Sequence, residues 1–186
     1  MIKRTILLFS LMIFCYSPKV TGQFTFVGAS ASYGSWIKEI GGSVYAIYSV
    51  NNKIDIVPNA TYFIPHEEII ETQLDSGKVT YTWWSANVDG HYVVFEKSIF
   101  QLFGLLGLNI TNETKLEDYV TQGQRFKYKT KTTKPALNIG AGVQFQLSKF
   151  FTPFVEIKYV LGERDQAVAS LGVLIRIAPD RESEEY

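Results

Sequence analysis

From Ala136 to Leu147 the chain reads ALNIGAGVQFQL, and this run limits the available folds more than any other. Leu137, Ile139, Ala141, Val143, Phe145 and Leu147 fall on one side of an extended strand. Asn138, Gly140, Gly142, Gln144 and Gln146 fall on the other. A period of two is the signature of a β-strand with an apolar and a polar face. The polar face carries glycine and amides in place of the Lys, Glu and Thr usual on a solvated strand. At about ten residues the run is long enough to cross a bilayer as a tilted strand.

The alternation recurs along the chain. Strands are expected over Phe24 to Tyr33, Glu39 to Val50, Lys53 to Ile64, Val79 to Val94, Phe100 to Ile110, the opening stretch, Phe151 to Leu161 and Ala167 to Ile177. Asn51-Asn52 reads as a two-residue hairpin turn, because Asn tolerates positive φ. Pro58, which lacks a ladder donor, is expected at a bulge. Trp84, Ala86, Val88, Tyr92 and Val94 oppose Ser85, Asn87, Asp89 and His91. Glu96-Lys97-Ser98 and Ser148-Lys149 read as tight turns. Pro65 to Lys78 and Thr111 to Lys134 read as long polar loops. No helical periodicity follows the N-terminal segment.

The count is eight, and short turns alternate with longer connections. That asymmetry is expected of an all-β, eight-stranded, antiparallel up-and-down transmembrane barrel with short periplasmic turns and longer outside loops. In lipid every backbone group must pair internally, which only a closed sheet achieves. Two aromatic girdles are expected. Phe24, Tyr48, Phe95, Phe100, Phe145 and Phe151 fall at one rim; Tyr33, Trp36, Tyr62, Trp83, Trp84 and Tyr159 fall at the other.

Length and charge agree with this. The 186 residues suit one domain. Lys+Arg and Asp+Glu number 18 each, so the basic excess of a nucleic-acid binder is absent. Residues 1–22 read as a signal peptide: Lys3 and Arg4 precede an apolar Ile6 to Phe14, and Val20-Thr21-Gly22 supplies a cleavage site. Cys15 is the one cysteine, so a chain cleaved after Gly22 has no disulfide to rely on. The barrel is expected over 23–177, with a charged periplasmic tail at 178–186.

Two runs extend this to a family. Leu147-Ser148-Lys149-Phe150-Phe151-Thr152-Pro153-Phe154-Val155-Glu156-Ile157-Lys158-Tyr159 resembles the turn and seventh strand of the eight-stranded outer-membrane β-barrel family, which includes the membrane domain of outer membrane protein A. Ser170, Gly172, Ile175 and Ile177 are similar to the last-strand signal read by the barrel-assembly machinery. The resemblance covers the mature chain and implies the bacterial outer membrane, with lipopolysaccharide and the assembly machinery as partners. It departs in ending on Ile177 and a Glu- and Arg-rich tail where relatives often place an aromatic.

The candidate functional residues fall into two groups. Asp55, Asp89, His91, Glu156, Lys158 and Arg176 are expected inside the barrel, where charges must pair to offset desolvation. They are read as a lumen charge network that plugs the barrel. Arg125, Phe126, Lys127, Tyr128, Lys129 and Lys131 are read as a basic, aromatic-interleaved surface loop able to meet an anionic surface or partner. No catalytic, cofactor or metal site is expected. His66 with Glu67 and Glu68 reads as a solvated rim segment, and the Asn-X-Thr triplets at Asn59, Asn109 and Asn112 as chance matches. The role that follows is structural or interactive at the cell surface. The rival readings are a soluble exported barrel holding a small ligand, and an enzyme that modifies lipid A.

Overall fold

The computed structural model describes residues 22–71, 75–121 and 124–178. The signal-peptide reading and most of the charged tail lie outside these residues. The strands are β1 (Gln23–Gly34), β2 (Glu39–Ser49), β3 (Ile54–Phe63), β4 (His66–Glu71), β5 (Asp75–Lys97), β6 (Phe100–Thr121), β7 (Gln124–Phe145), β8 (Phe151–Gly162) and β9 (Gln166–Arg176).

All pairings are antiparallel, and the sheet closes on itself. β1 pairs with β9 from Phe26↔Arg176 to Gly34↔Val168. β3 and β4 lie in succession along β5: Asn59 faces Asn87, and further up Glu68 faces Val79. They act as one stave broken at Ile64-Pro65, where proline cannot donate to a ladder. The barrel therefore has eight staves built from nine strand segments.

Alternation places the side chains as expected. Leu137, Ile139, Leu106, Leu108, Val88 and Ile157 are exposed on the outer face, while Asn138 and Gln144 are buried inside. A belt of exposed apolar side chains around a closed sheet is the surface a bilayer covers. Phe24, Phe95, Phe145 and Phe151 stand out at the short-turn rim, and Tyr33, Trp36, Tyr62, Trp84 and Tyr159 at the other. Trp83 departs from the girdle expectation: it is buried inside, because its neighbour Trp84 already takes the outward position.

Two local expectations are corrected. Pro58 makes no bulge; it faces Val88 in unbroken register. The register shifts instead between Phe24 and Phe26 and between Val93 and Phe95. The β2–β3 turn does not rest on positive φ at Asn51 or Asn52. The Asn51 Oδ1 accepts from the backbone N–H of Lys53 and Ile54, both at 2.9 Å. Among the described non-glycine residues the positive φ belongs to Lys38, in the β1–β2 connection.

The largest correction concerns the two long loops. Residues 66–71 and 75–78 pair as strand, and residues 111–121 pair with 124–134 without a register shift up to Thr121↔Gln124. Within this span Arg125, Lys127 and Lys129 alternate with Phe126 and Tyr128, and threonines recur, a pattern that supports a strand although its polarity suggested a loop. β4 to β7 thus rise beyond the barrel as a sheet. At about 3.4 Å per residue the β6–β7 hairpin extends roughly 30 Å past the mouth.

Candidate functional site

The inward side chains are arranged in layers. A polar girdle crosses its middle and takes side chains from every stave. On one side it is a ladder of hydroxyls. Ser32 Oγ lies 2.8 Å from both Ser43 Oγ and Ser170 Oγ, and Ser43 Oγ lies 2.7 Å from Thr61 Oγ1. On the other side it is a ladder of amides. Asn59, Asn87 and Asn109 are direct cross-strand partners. Asn109 donates to Asn87 at 2.6 Å, and Asn87 donates to Asn59 at 2.8 Å.

The amides hold the charges. The Asp89 carboxylate, wholly buried, accepts from Asn59 at 2.8 Å and from Asn138 at 2.7 Å. The Lys158 ammonium donates to Asp89 Oδ2 at 3.1 Å and lies 3.6 Å from Glu156 Oε1. His91 Nε2 sits 3.7 Å from Glu156 Oε2, with its ring stacked on Phe103. Two glycines make room for this. Gly107 faces Asp89 and Gly140 faces Lys158 across their ladders. A Cβ at Gly107 would overlap Asp89 Oδ1, and one at Gly140 would press on the Lys158 backbone.

Apolar layers lie on both sides of the girdle. Tyr45, Ile47, Val57, Phe154 and Leu174 form one, with Phe26 against them. Ile37, Phe63 and Trp83 form the other, with Tyr81 against them. These inward aromatics and aliphatics were not expected from a lumen face read as Gly, Ser, Asn and Gln.

Of the six charged residues expected in one network, Asp89, His91, Glu156 and Lys158 come together. Asp55, opposite His91 in the β3–β5 ladder, and Arg176 lie on its short-turn side. Both line a polar vestibule of about 650 Å³ at the short-turn end, where the Arg176 guanidinium lies over the Phe26 ring. The amides that hold the charges were missed as a group. Their signal was present: Asn-X-Thr spacing puts both side chains on one face of a strand. Thr61 and Thr111 indeed share the inward face with Asn59 and Asn109, and Thr111 Oγ1 donates to Asn109 Oδ1 at 2.8 Å.

The basic segment lies on the projecting hairpin, and its two residue types part company. In β7 the odd positions continue the outer face of Leu137 and Ile139, and the even positions the inner face of Asn138. Arg125, Lys127, Lys129 and Lys131 therefore form an outer cationic row. Phe126 and Tyr128 turn to the inner face and stack with Tyr119 at ring distances of 5.7 and 5.9 Å.

Asp118, opposite Lys127, serves the lower-numbered end of the row. It accepts from Arg125 Nε at 2.7 Å and Nη2 at 2.6 Å, and Lys127 Nζ lies 3.2 Å away. These bonds, Arg125 first, hold its carboxyl down to about 2. Lys129 and Lys131 face Leu116 and Thr114 and meet no carboxylate among the described residues.

The remaining candidates stay apart from both groups. Ser170 joins the hydroxyl ladder, Gly172 packs under Phe154, and Ile175 and Ile177 are exposed outside. His66 Nδ1 lies 2.7 Å from Glu39 Oε1 at the upper rim. No cluster of three or more His, Cys, Asp or Glu suited to a metal ion occurs among the described residues.

No protein-family model matches the chain, and no curated protein matches it. Solved structures do. The attachment invasion locus protein Ail of Yersinia pestis superposes with a TM-score of 0.50 at 19% identity, over 84% of this chain and 98% of Ail. Ail in complex with the heparin analogue sucrose octasulfate gives a TM-score of 0.53 at 17% identity, with the same coverage. Neisserial surface protein A gives 0.52 at 13% identity, over 84% of this chain and 99% of that one. The shared architecture is the eight-stranded outer-membrane β-barrel.

Proposed function

We propose that this chain, an eight-stranded outer-membrane β-barrel in fold, is a surface-binding protein of the bacterial outer membrane. Its closed barrel serves as the anchor and its projecting sheet as the recognition element. The ligand class is a polyanion, either the phosphorylated glycolipid of the membrane or a sulfated glycan beyond it. The observation that carries this reading is the outer row on β7. It presents cations at every second residue, about 7 Å apart, and Lys129 and Lys131 meet no acid among the described residues. Like charges so spaced repel one another, and a multivalent anion relieves that repulsion. Ail, of the same fold, has been solved with a heparin analogue, which supports a polyanion as the partner.

The lumen charges belong to the anchor in this reading. The Asp89–Lys158–Glu156–His91 cluster, held between two apolar layers, seals the barrel. Ser170, Gly172, Ile175 and Ile177 form the segment engaged by the assembly machinery. No catalytic role is assigned in this reading, and His66 pairs with Glu39 at the rim.

The test is retention of the full chain, in phospholipid nanodiscs, on immobilised heparin and on lipopolysaccharide-coated beads. Lys129→Gln with Lys131→Gln should lower the salt concentration needed for elution and flatten its salt dependence by about two counterions. Unchanged elution of the double variant on both supports would refute the reading.

A further inference from the structure

Between the upper apolar layer and the outside, the barrel mouth holds a small cavity of about 30 Å³. Trp36, Ile37, Trp83, Val160 and Gln166 line it, and Trp36, Glu163 and Arg164 at its edge are exposed. Two buried side chains here are incompletely satisfied. Trp83 is 6% exposed and its indole Nε1 meets no acceptor; Gln166 is 7% exposed and its Oε1 meets no donor among the described residues. Buried polar groups are nearly always paired, so an orphan donor and an orphan acceptor lining one cavity need an explanation.

The charges around the rim are already spoken for. Arg164 pairs with Glu113 and lies over the Trp36 ring at 4.4 Å. Lys134 Nζ lies 2.9 Å from Glu163 Oε2. A charged ligand would have to break one of these pairs, while a wholly apolar one would leave both orphans unmet. A hydroxyl is at once donor and acceptor, so one group can accept from the Trp83 indole N–H and donate to Gln166 Oε1. Aromatic and aliphatic walls suit the C–H face that carries such a hydroxyl. The volume admits one hydroxymethyl-sized group, with the rest of its ring left in the open mouth.

We propose that this cavity binds the hydroxylated edge of an uncharged saccharide, at a site separate from the cationic row of β7. The saccharide belongs either to a glycolipid of the same membrane or to a free glycan.

The experiment follows the Trp83 indole N–H by NMR, with the full chain in nanodiscs, during titration with methyl glucoside and methyl galactoside. A saturable shift is expected with at least one of them. Trp83→Phe keeps the ring and removes the donor, and Gln166→Leu removes the acceptor. For Gln166→Leu the shift should require about fivefold more sugar; for Trp83→Phe, saturation transfer to the sugar should weaken similarly. Lys129→Gln with Lys131→Gln should leave the titration unchanged, so this proposal and the polyanion reading fail independently. Heat-modifiable gel mobility confirms that each variant is folded.

Nanodiscs with lipopolysaccharide distinguish the sources. A Trp83 resonance already shifted before any sugar is added assigns the glycolipid; an identical titration in both membranes assigns a free glycan. Absence of a saturable Trp83 shift with both sugars and with lipopolysaccharide would overturn the proposal. So would binding that Trp83→Phe and Gln166→Leu leave at full strength, since bridging water alone would then explain the two orphans.

Discussion

Lys158 lies between the two buried carboxylates of the lumen. Its ammonium, almost fully buried, bonds Asp89 and lies beside Glu156. Removing one partner of a buried ion pair leaves an uncompensated charge, which costs about 3–5 kcal/mol. Lys158→Met should destabilise by that order in equilibrium unfolding from lipid vesicles, and adding Asp89→Asn should recover part of the loss. A double variant no more stable than Lys158→Met alone would contradict the pairing. Asp118 makes a different prediction. Its carboxyl is held down to about 2 from an ordinary 3.8. Its contribution to hairpin order is therefore present above the ordinary value and lost as pH falls toward 2. A carboxyl titration by NMR should show that low midpoint, and Arg125→Gln should raise it.

At the scale of the element, strand alternation sets the outcome of a substitution. Ile139 lies on the outer face of β7 and Gln144 on the inner face near the vestibule. An arginine facing lipid near the bilayer midplane costs about 2–4 kcal/mol, whereas lumen positions mainly tune what the interior holds. Ile139→Arg should thus fold poorly into vesicles, judged by the fraction showing heat-modified mobility. Gln144→Arg should fold close to the parent level. Equal losses would mean that β7 does not present these faces to lipid and lumen. The β6–β7 hairpin is long for a loop because its partner positions match: Asp118 faces Lys127 and Tyr119 faces Phe126. Cross-strand pairs of these kinds each add a few tenths of a kcal/mol, up to about 1.

For the whole molecule, closure of the sheet and packing of the inward side chains act together. Eight staves leave an interior just wide enough for side chains. Here a polar girdle lies between two apolar layers. Planar-bilayer recording on the purified chain should show no steady nanosiemens conductance at neutral pH. A stable open level of that size would contradict a lumen plugged by the girdle and its flanking layers.

Strand number, sidedness and closure were legible in the sequence because a period of two states which face each residue joins, and lipid requires every edge to be paired. The same rule identified Asp89, His91, Glu156 and Lys158 as inward. What alternation cannot state is which inward residues share a level, because that depends on register and strand tilt. Only the tertiary structure therefore placed Asp55 and Arg176 on the wall of the vestibule, aligned Asn59, Asn87 and Asn109 into a ladder, and matched Gly107 and Gly140 to the charges they admit. Polarity also misled at 111–134. A strand with no lipid to face and no core to cover carries the composition of a loop, and its pairing became visible only when its partner strand lay beside it.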